Sequence, residues 1–358
     1  MPVRNPIIIA HRGASGYRPE HTHAAYALAI EMGADFIEPD LVMSKDGVLI
    51  VRHENELSRT TDVAVHPEFA NRRTTKMIDG RTVSGWFTED FTLAEVKTLR
   101  AVEPLADIRP RNAGFNGQFE ILTLRETLDL AQLANERLRA VPQAYTNADH
   151  RCIGVYPETK FPSYFASIGL PMEAALVEAL AEAGFGSTAA PVFIQSFETA
   201  NLKELRRLTD MPLIQLINDR GAPYDFVVAD DGRRYADLMS PHGLQEISAY
   251  ADGIGVNKAL IIPRDPDDKL LPPNSLVEDA HSVGLCVHAW TFRAENRFLP
   301  AEFRHGGMAD GGDLIGELDA FLAAGIDGCF IDHPDLGVRA RDAFLSHSRP
   351  HDCEPYPG

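Results

Sequence analysis

The chain has 358 residues, 44% hydrophobic and 24% charged, with 52 acids against 34 bases and a formal net charge of −18. That length and apolar fraction suit a globular protein, and a (β/α) barrel can run past roughly 200 residues as a single domain. The acidic balance argues against a nucleic-acid or anionic-membrane binder, but it leaves room for a pocket where bases gather around an anionic substrate.

In chain order, "PIIIAHRG" reads as a strand ending at His11 and Arg12. "THAAYALAIEMG" follows as a helix, with Thr22 as its N-cap and Gly33 past its end. "DFIEPD" is the second strand, and it contains two carboxylates, Glu38 and Asp40, two residues apart in an apolar run. Asp46-Gly47 predicts a hairpin, which makes "VLIVRHE" its return limb and not a further barrel strand. A two-residue turn sets His53 opposite Asp40; a three-residue turn sets it opposite Pro39. Residues 54–120 fit no strand–helix unit. They read as an inserted cap over one end of the barrel, with one helix near Thr92–Arg100.

Beyond the insertion the alternation resumes. "CIGVYPETK" precedes a helix from Pro171 to Gly184, and "PVFIQSF", "PLIQLI", "DGIGVN", "LCVHAWTF" and "GCFIDHP" are each followed by a helical stretch. Eight strand-then-helix units predict an α/β fold, a (β/α)8 TIM barrel. The barrel takes residues 1–53 and 121–346, the cap 54–120, and a disordered tail 347–358. A doubly wound open sheet is the alternative, although "HRGASG" lacks the dinucleotide glycine spacing.

Of the four cysteines, Cys152, Cys286 and Cys329 lie in apolar contexts, and neither they nor Cys353 has CxxC spacing. The first three are expected to be buried thiols, not part of a disulfide framework. No apolar run reaches the roughly 18 residues of a membrane span. "MPVRNPIIIAHRG" is too short for a secretion signal, so the expected compartment is the cytoplasm, or the periplasm if a leader has been removed.

Barrel enzymes work at the C-terminal ends of their strands. The polar residues there are His11 and Arg12, Glu38 and Asp40, Glu158 and Lys160, Gln195, Trp290 and Asp332, with His53 on the hairpin return. E-x-D and E-x-K are i, i+2 pairs, so each points to one side of its strand. Glu38, Asp40 and Glu158 form an oxygen set for Mg²⁺ or Ca²⁺; no Cys/His spacing suits zinc. The competing reading is a buried ion-pair network of the acids with Arg12 and Lys160. His11 and His53 are the candidate acid–base pair, and Arg12 and Lys160 the candidate anion binders. Gln195 either contacts a substrate oxygen or caps its strand. Trp290 either packs a small polyol or the core. Glu20 and His21 are either further site residues or surface or helix-capping residues, and Asp332 reads as the acid of a helix N-terminus.

Together, H-R-G-A, E-x-D, D-G-x₅-H and E-x-K, with "FIQSF", "ADGIGVN" and "GIDGCFIDHPD", resemble the bacterial glycerophosphodiester phosphodiesterases of the long, periplasmic-type branch. The resemblance runs from about residue 7 to 340. It implies that His11 and His53 act as general acid and base, that Glu38, Asp40 and Glu158 bind a divalent metal, and that Arg12 and Lys160 hold the phosphate. The implied reaction splits a glycerophosphodiester into glycerol 3-phosphate and an alcohol; attack by the glycerol 2-hydroxyl through a cyclic phosphate is one route. Many members read P-E-N-T where this chain has Pro19-Glu20-His21-Thr22. The expected partner is a small molecule, with no nucleic acid and no stable membrane insertion. Alternatives are a phospholipase-like lyase on lysolipid or phosphoinositide, and an inactive barrel serving as a binding module.

Overall fold

The computed structural model describes residues 5–140, 152–186 and 190–348. Its main sheet has β1 (Ile7–His11) between β13 (Gly328–Ile331) and β2 (Phe36–Glu38). β2 is prolonged past Pro39 by β3 (Asp40–Met43), which turns back into the antiparallel β4 (Leu49–Val51), and β7 (Gly154–Val155) is prolonged past Tyr156-Pro157 by β8 (Glu158–Thr159). A proline has no N–H to give the ladder, so each of these strands breaks where one falls. The neighbours still bond across the breaks: Glu158 N–H donates to Pro39 O at 2.9 Å, and Gln195 N–H to Pro157 O at 3.0 Å. β2 pairs with β7 and β3 with β8. The order then runs through β9 (Ile194–Ser196), β10 (Leu213–Ile217), β11 (Gly253–Asn257) and β12 (Cys286–Phe292) to β13 and back to β1. With the two broken strands each counted once, eight parallel strands close a ring, the (β/α)8 barrel.

Two apolar assemblies hold it. The larger lies between strands and helices. A smaller one, built on Ile9, Phe36, Tyr156, Ile214 and Phe330, fills the barrel interior. Gly154 makes room for it: a Cβ there would meet the Phe36 ring at 2.3 Å. His288 belongs to this plug. Its Nδ1 lies 2.8 Å from the Tyr156 hydroxyl and its ring stands edge-on to Tyr156 and Phe193. Burial lowers its pKa to about 4. Such a group takes up a proton on unfolding wherever pH is below its free value near 6.5, so its contribution to stability falls as pH drops from about 6.5 to 4. Between pH 7 and pH 5 this group alone should remove about 2 kcal/mol. Urea unfolding of Tyr156→Phe/His288→Leu should show a correspondingly smaller loss over the same interval.

Helix His23–Glu31 starts as expected, with the Thr22 hydroxyl accepting from Ala25 N–H. The helix Leu124–Ala140 was not expected. Thr123 and Glu126 bond each other's backbone N–H at its start, and that T-x-x-E pattern is readable in "TLRE". In residues 54–120 the expected helix shortens to Leu93–Val96, and a hairpin appears, β5 (Thr74–Ile78) with β6 (Arg81–Gly85). Its turn, Asp79-Gly80, carries the same signal as Asp46-Gly47. The last helix runs Pro334–Ser348, so residues 347 and 348 close it and are not tail; 349–358, with Cys353, lie outside the described residues. Cys329 is buried as expected, but Cys152 and Cys286 are only half-buried. Among the described residues no helix is long and apolar enough to cross a membrane.

Candidate active site

Register builds the site. In the ladders His11 stands beside Glu38, and Asp40 beside Glu158, which stands beside Gln195. Residues side by side in parallel strands share a face, as do residues i and i+2, so these groups turn inward together at one end of the barrel. Each of Glu38, Asp40 and Glu158 brings a carboxylate oxygen within 4.8 Å of the others, and all three are buried.

The charges around them are unevenly matched. Lys160 Nζ sits 2.6 Å from Glu158 and 3.9 Å from Asp40. The Arg12 guanidinium lies 2.9 Å from Glu20 and 3.3 Å from Asp40, and the Arg12 backbone N–H donates to Glu38 at 2.8 Å. The ion-pair network is therefore present, but two cations serve Glu20, Asp40 and Glu158. Burial, then repulsion from Asp40 and Glu158, pushes the Glu38 carboxyl well above its usual range. Burial also raises Glu158 against the pull of Lys160. Asp40 is held low: burial opposes its ionisation, but Lys160, His53, His21 and Arg12 outweigh it. Asp40 Oδ1 and Gln195 Oε1 are buried with no hydrogen-bond partner, while the Gln195 amide donates to Glu38 at 3.2 Å. Three carboxylates clustered this closely, with a neighbouring carboxylate oxygen unpaired, offer the oxygen donors that a hard divalent cation takes.

Two imidazoles flank this cluster. His11 Nδ1 lies 2.7 Å from Asp332, and His53 Nδ1 lies 2.8 Å from Glu54. Burial tends to neutralise Asp332, but Arg293, Arg109 and His11 hold it well below the usual carboxylate range. An ionised carboxylate only accepts, so each Nδ1 carries the proton and each neutral ring keeps its Nε2 lone pair. Burial, then the Arg12 charge, lowers His11 to about 4; the same two influences and Lys160 lower His53. His53 arrives by the three-residue turn. Leu41 pairs with Val51 and Met43 with Leu49, and Arg52 N–H donates to Asp40 O, so His53 stands opposite Pro39 and not Asp40.

Several participants were not settled as such from sequence. His21 is fully buried, bonded to Asp40 at 2.9 Å and to the Tyr26 hydroxyl at 2.7 Å, and Glu20 anchors Arg12; neither is a surface residue. Arg12 and His21 both have φ near +60°, and the strain of such non-glycine conformations tends to sit at functional sites. Asp332 is not a helix-terminal acid. Beyond His11 it binds Arg109 at 2.6 Å and Arg293 at 2.9 Å. Arg109 comes from the insertion, binds Glu295 at 2.5 Å and donates to Ser15 O at 2.9 Å. Trp290 lines the cleft while its indole N–H donates to Gly255 O. Lys258 also lines it, held at 2.6 Å by buried Glu317.

A closed parallel barrel with acids, bases and imidazoles converging at its strand ends defines a TIM-barrel enzyme. A family model, the glycerophosphoryl diester phosphodiesterase family, matches residues 11–336. A glycerophosphodiester phosphodiesterase of Arabidopsis thaliana is 38% identical over 345 residues, covering 93% of this chain and 85% of that one. One of Haemophilus influenzae is 29% identical over 357 residues, covering 93% and 88%. A phosphodiesterase of Oleispira antarctica, solved with the product sn-glycerol-3-phosphate, shares the fold with a TM-score of 0.60 at 21% identity, over 94% and 97% of the two chains. The chain belongs to the glycerophosphoryl diester phosphodiesterase family, and it is a phosphodiesterase of that class.

Proposed function

We propose that the protein hydrolyses glycerophosphodiesters to glycerol 3-phosphate and an alcohol, in a reaction that needs a divalent cation. The observation that carries this reading is a cleft lined by two carboxylate-tethered imidazoles together with Glu38, Glu158 and Lys160, with Asp40 clustered against the two acids. Glu38, Asp40 and Glu158 would hold the cation, and their oxygen-only set fits Mg²⁺ or Ca²⁺. When bound, the cation supplies charge compensation for the phosphate oxygens.

The chain's own residues do the rest. Arg12 and Lys160 offer positive charge to the phosphate, and Gln195 and Trp290 border the space beside it. One imidazole, neutral, takes a proton onto Nε2 from the attacking hydroxyl; the other enters the step as imidazolium, its Nε2 protonated beside the negative charge of the bound diester, and gives that proton to the oxygen of the departing alcohol as its P–O bond breaks. Overall one water is consumed, its hydrogen going to the alcohol and its hydroxyl to phosphorus. The insertion 54–120 caps the mouth and helps keep bulk water from the cleft. The assay is incubation with glycerophosphocholine and Ca²⁺ or Mg²⁺, with enzymatic detection of glycerol 3-phosphate. Release of product that EDTA stops is the expected result; no product with either ion from several headgroups would sink the reading.

Asp332 should act through His11. Asp332→Asn replaces the carboxylate that fixes the Nδ1–H tautomer, so kcat should fall on the order of 10²-fold. The change in KM should be the smaller one, since Asp332 also holds Arg109 and Arg293 beside the cleft but keeps its size and an acceptor oxygen in Asp332→Asn. Steady-state kinetics separates the two parameters, and a change confined to KM would refute the assignment.

A further inference from the structure

The mouth opens into two cavities, not one. The first has a volume of about 280 Å³ and includes Glu38, Glu158 and Lys160 in its wall; the second has about 160 Å³ and extends under the insertion. His11, Arg12, His53, Arg293 and Phe298 line both, so the two are lobes of one cleft with the imidazoles at the waist. A diester whose phosphorus sits at that waist sends one ester arm into each lobe. The first lobe, with the metal-ligand set, takes the glycerol phosphate. The second is left for the alcohol that departs.

The chemistry of the second lobe is specific. Thr60 lines it and is 4% exposed, yet its hydroxyl has no hydrogen-bond partner. A buried hydroxyl left unpaired costs about 1–3 kcal/mol, so a group entering the lobe that bonds it recovers that cost. Arg59, next in the chain, stands exposed at the rim. The other arginines of the lobe are already committed, Arg12 to Glu20, and Arg109 and Arg293 to Asp332. The acids of the lobe are committed as well, Glu54 to His53, Glu20 to Arg12, and Asp332 to His11, Arg109 and Arg293; Glu20 Oε1, buried and unpaired, is a second partner for an alcohol hydroxyl. Pro104 and Leu105 form an apolar wall from the insertion. A quaternary ammonium is best held by several open aromatic faces. The lobe has one phenyl ring, Phe298, and the Arg293 guanidinium already lies 4.8 Å over it.

We infer that the second lobe is the subsite for the departing alcohol and that it selects a hydroxyl-rich alcohol, a small polyol or cyclitol, over a quaternary-ammonium alcohol. The Thr60 hydroxyl and the Arg59 guanidinium hydrogen-bond the polyol's hydroxyls, and Arg59 repels a cationic headgroup. The inference rests on the phosphodiesterase reading of the waist.

The test compares kcat/KM for glycerophosphoglycerol and glycerophosphoinositol with that for glycerophosphocholine, each followed by release of glycerol 3-phosphate. Wild-type enzyme should favour the polyol esters about tenfold or more. Thr60→Val and Arg59→Gln should each reduce the polyol-to-choline ratio about tenfold, mainly through KM, the scale of one lost hydrogen bond. Arg59 is at the exposed rim, so its variant keeps the test decisive if Thr60→Val folds poorly. Equal or better turnover of the choline ester, or an unchanged ratio in a folded variant, overturns the selectivity while leaving the phosphodiesterase reading intact. No glycerol 3-phosphate from any ester overturns both.

Discussion

Glu38→Gln is expected to remove divalent-cation binding and, with it, measurable hydrolysis. Glu38 is 1% exposed and shares its site with two other acids whose ligand oxygens lie within 4.8 Å. The substitution keeps the shape and an acceptor for the Arg12 backbone N–H. It deletes the negative charge that a hard cation requires. Two measurements separate binding from catalysis. In wild-type protein, Ca²⁺ or Mg²⁺ at about 100 times its Kd should stabilise the fold by about 2.7 kcal/mol, seen as a rise in Tm. The variant should show no such rise. Without cation, its own Tm should lie at or above that of the wild type, because removing one of three crowded carboxylates relieves the repulsion that raises the Glu38 pKa. A Glu38→Gln protein that still binds the cation and is still stopped by EDTA would overturn the ligand assignment.

His11→Ala and His53→Ala should each lower kcat by about 10²–10⁴-fold, the usual weight of a positioned proton-transfer group. Neither imidazole belongs to the carboxylate cluster, so the cation-induced rise in Tm should survive in both. That combination, activity lost and cation binding kept, is what distinguishes proton transfer from ligation. The two variants should differ in stability. His11 is buried in a network reaching Asp332, Arg109 and Arg293, whereas the His53 side chain is 29% exposed and bonds only to Glu54 among the contacts described above. Urea unfolding should therefore report the larger loss for His11→Ala. Full activity in either variant would remove that imidazole from the mechanism.

The barrel was legible because its signal is local. Eight apolar runs alternate with amphipathic stretches, and Thr22 and Asp46-Gly47 carry their own turn and cap chemistry. The acids of the cluster were legible because i, i+2 spacing on a strand survives any tertiary arrangement. The register of the hairpin was not, because two- and three-residue turns both suit Asp-Gly, and only packing against the barrel selects between them. The role of Asp332 was hidden for a different reason. It sits at a helix start, where an acid is commonplace, and its partners Arg109 and Arg293 are set beside it only by the folded insertion and the neighbouring strand. Glu20 and His21 stayed open between site and surface because "EH" before a helix resembles a solvated cap. Nothing in the sequence announces that their backbone turns back onto Asp40.

Asp332 has one more consequence, concerning time and not space. It lies 321 positions after the imidazole it orients, and 223 after the arginine of the insertion that shares it. A ribosome making this chain therefore releases His11 well before the carboxylate that holds it. The crowded carboxylates, the hairpin imidazole and the insertion are all made while His11 has no anchor, on a ring that β13 has yet to close. The proton transfer proposed for His11 therefore has its anchored imidazole only after β13 has been made and has closed the ring.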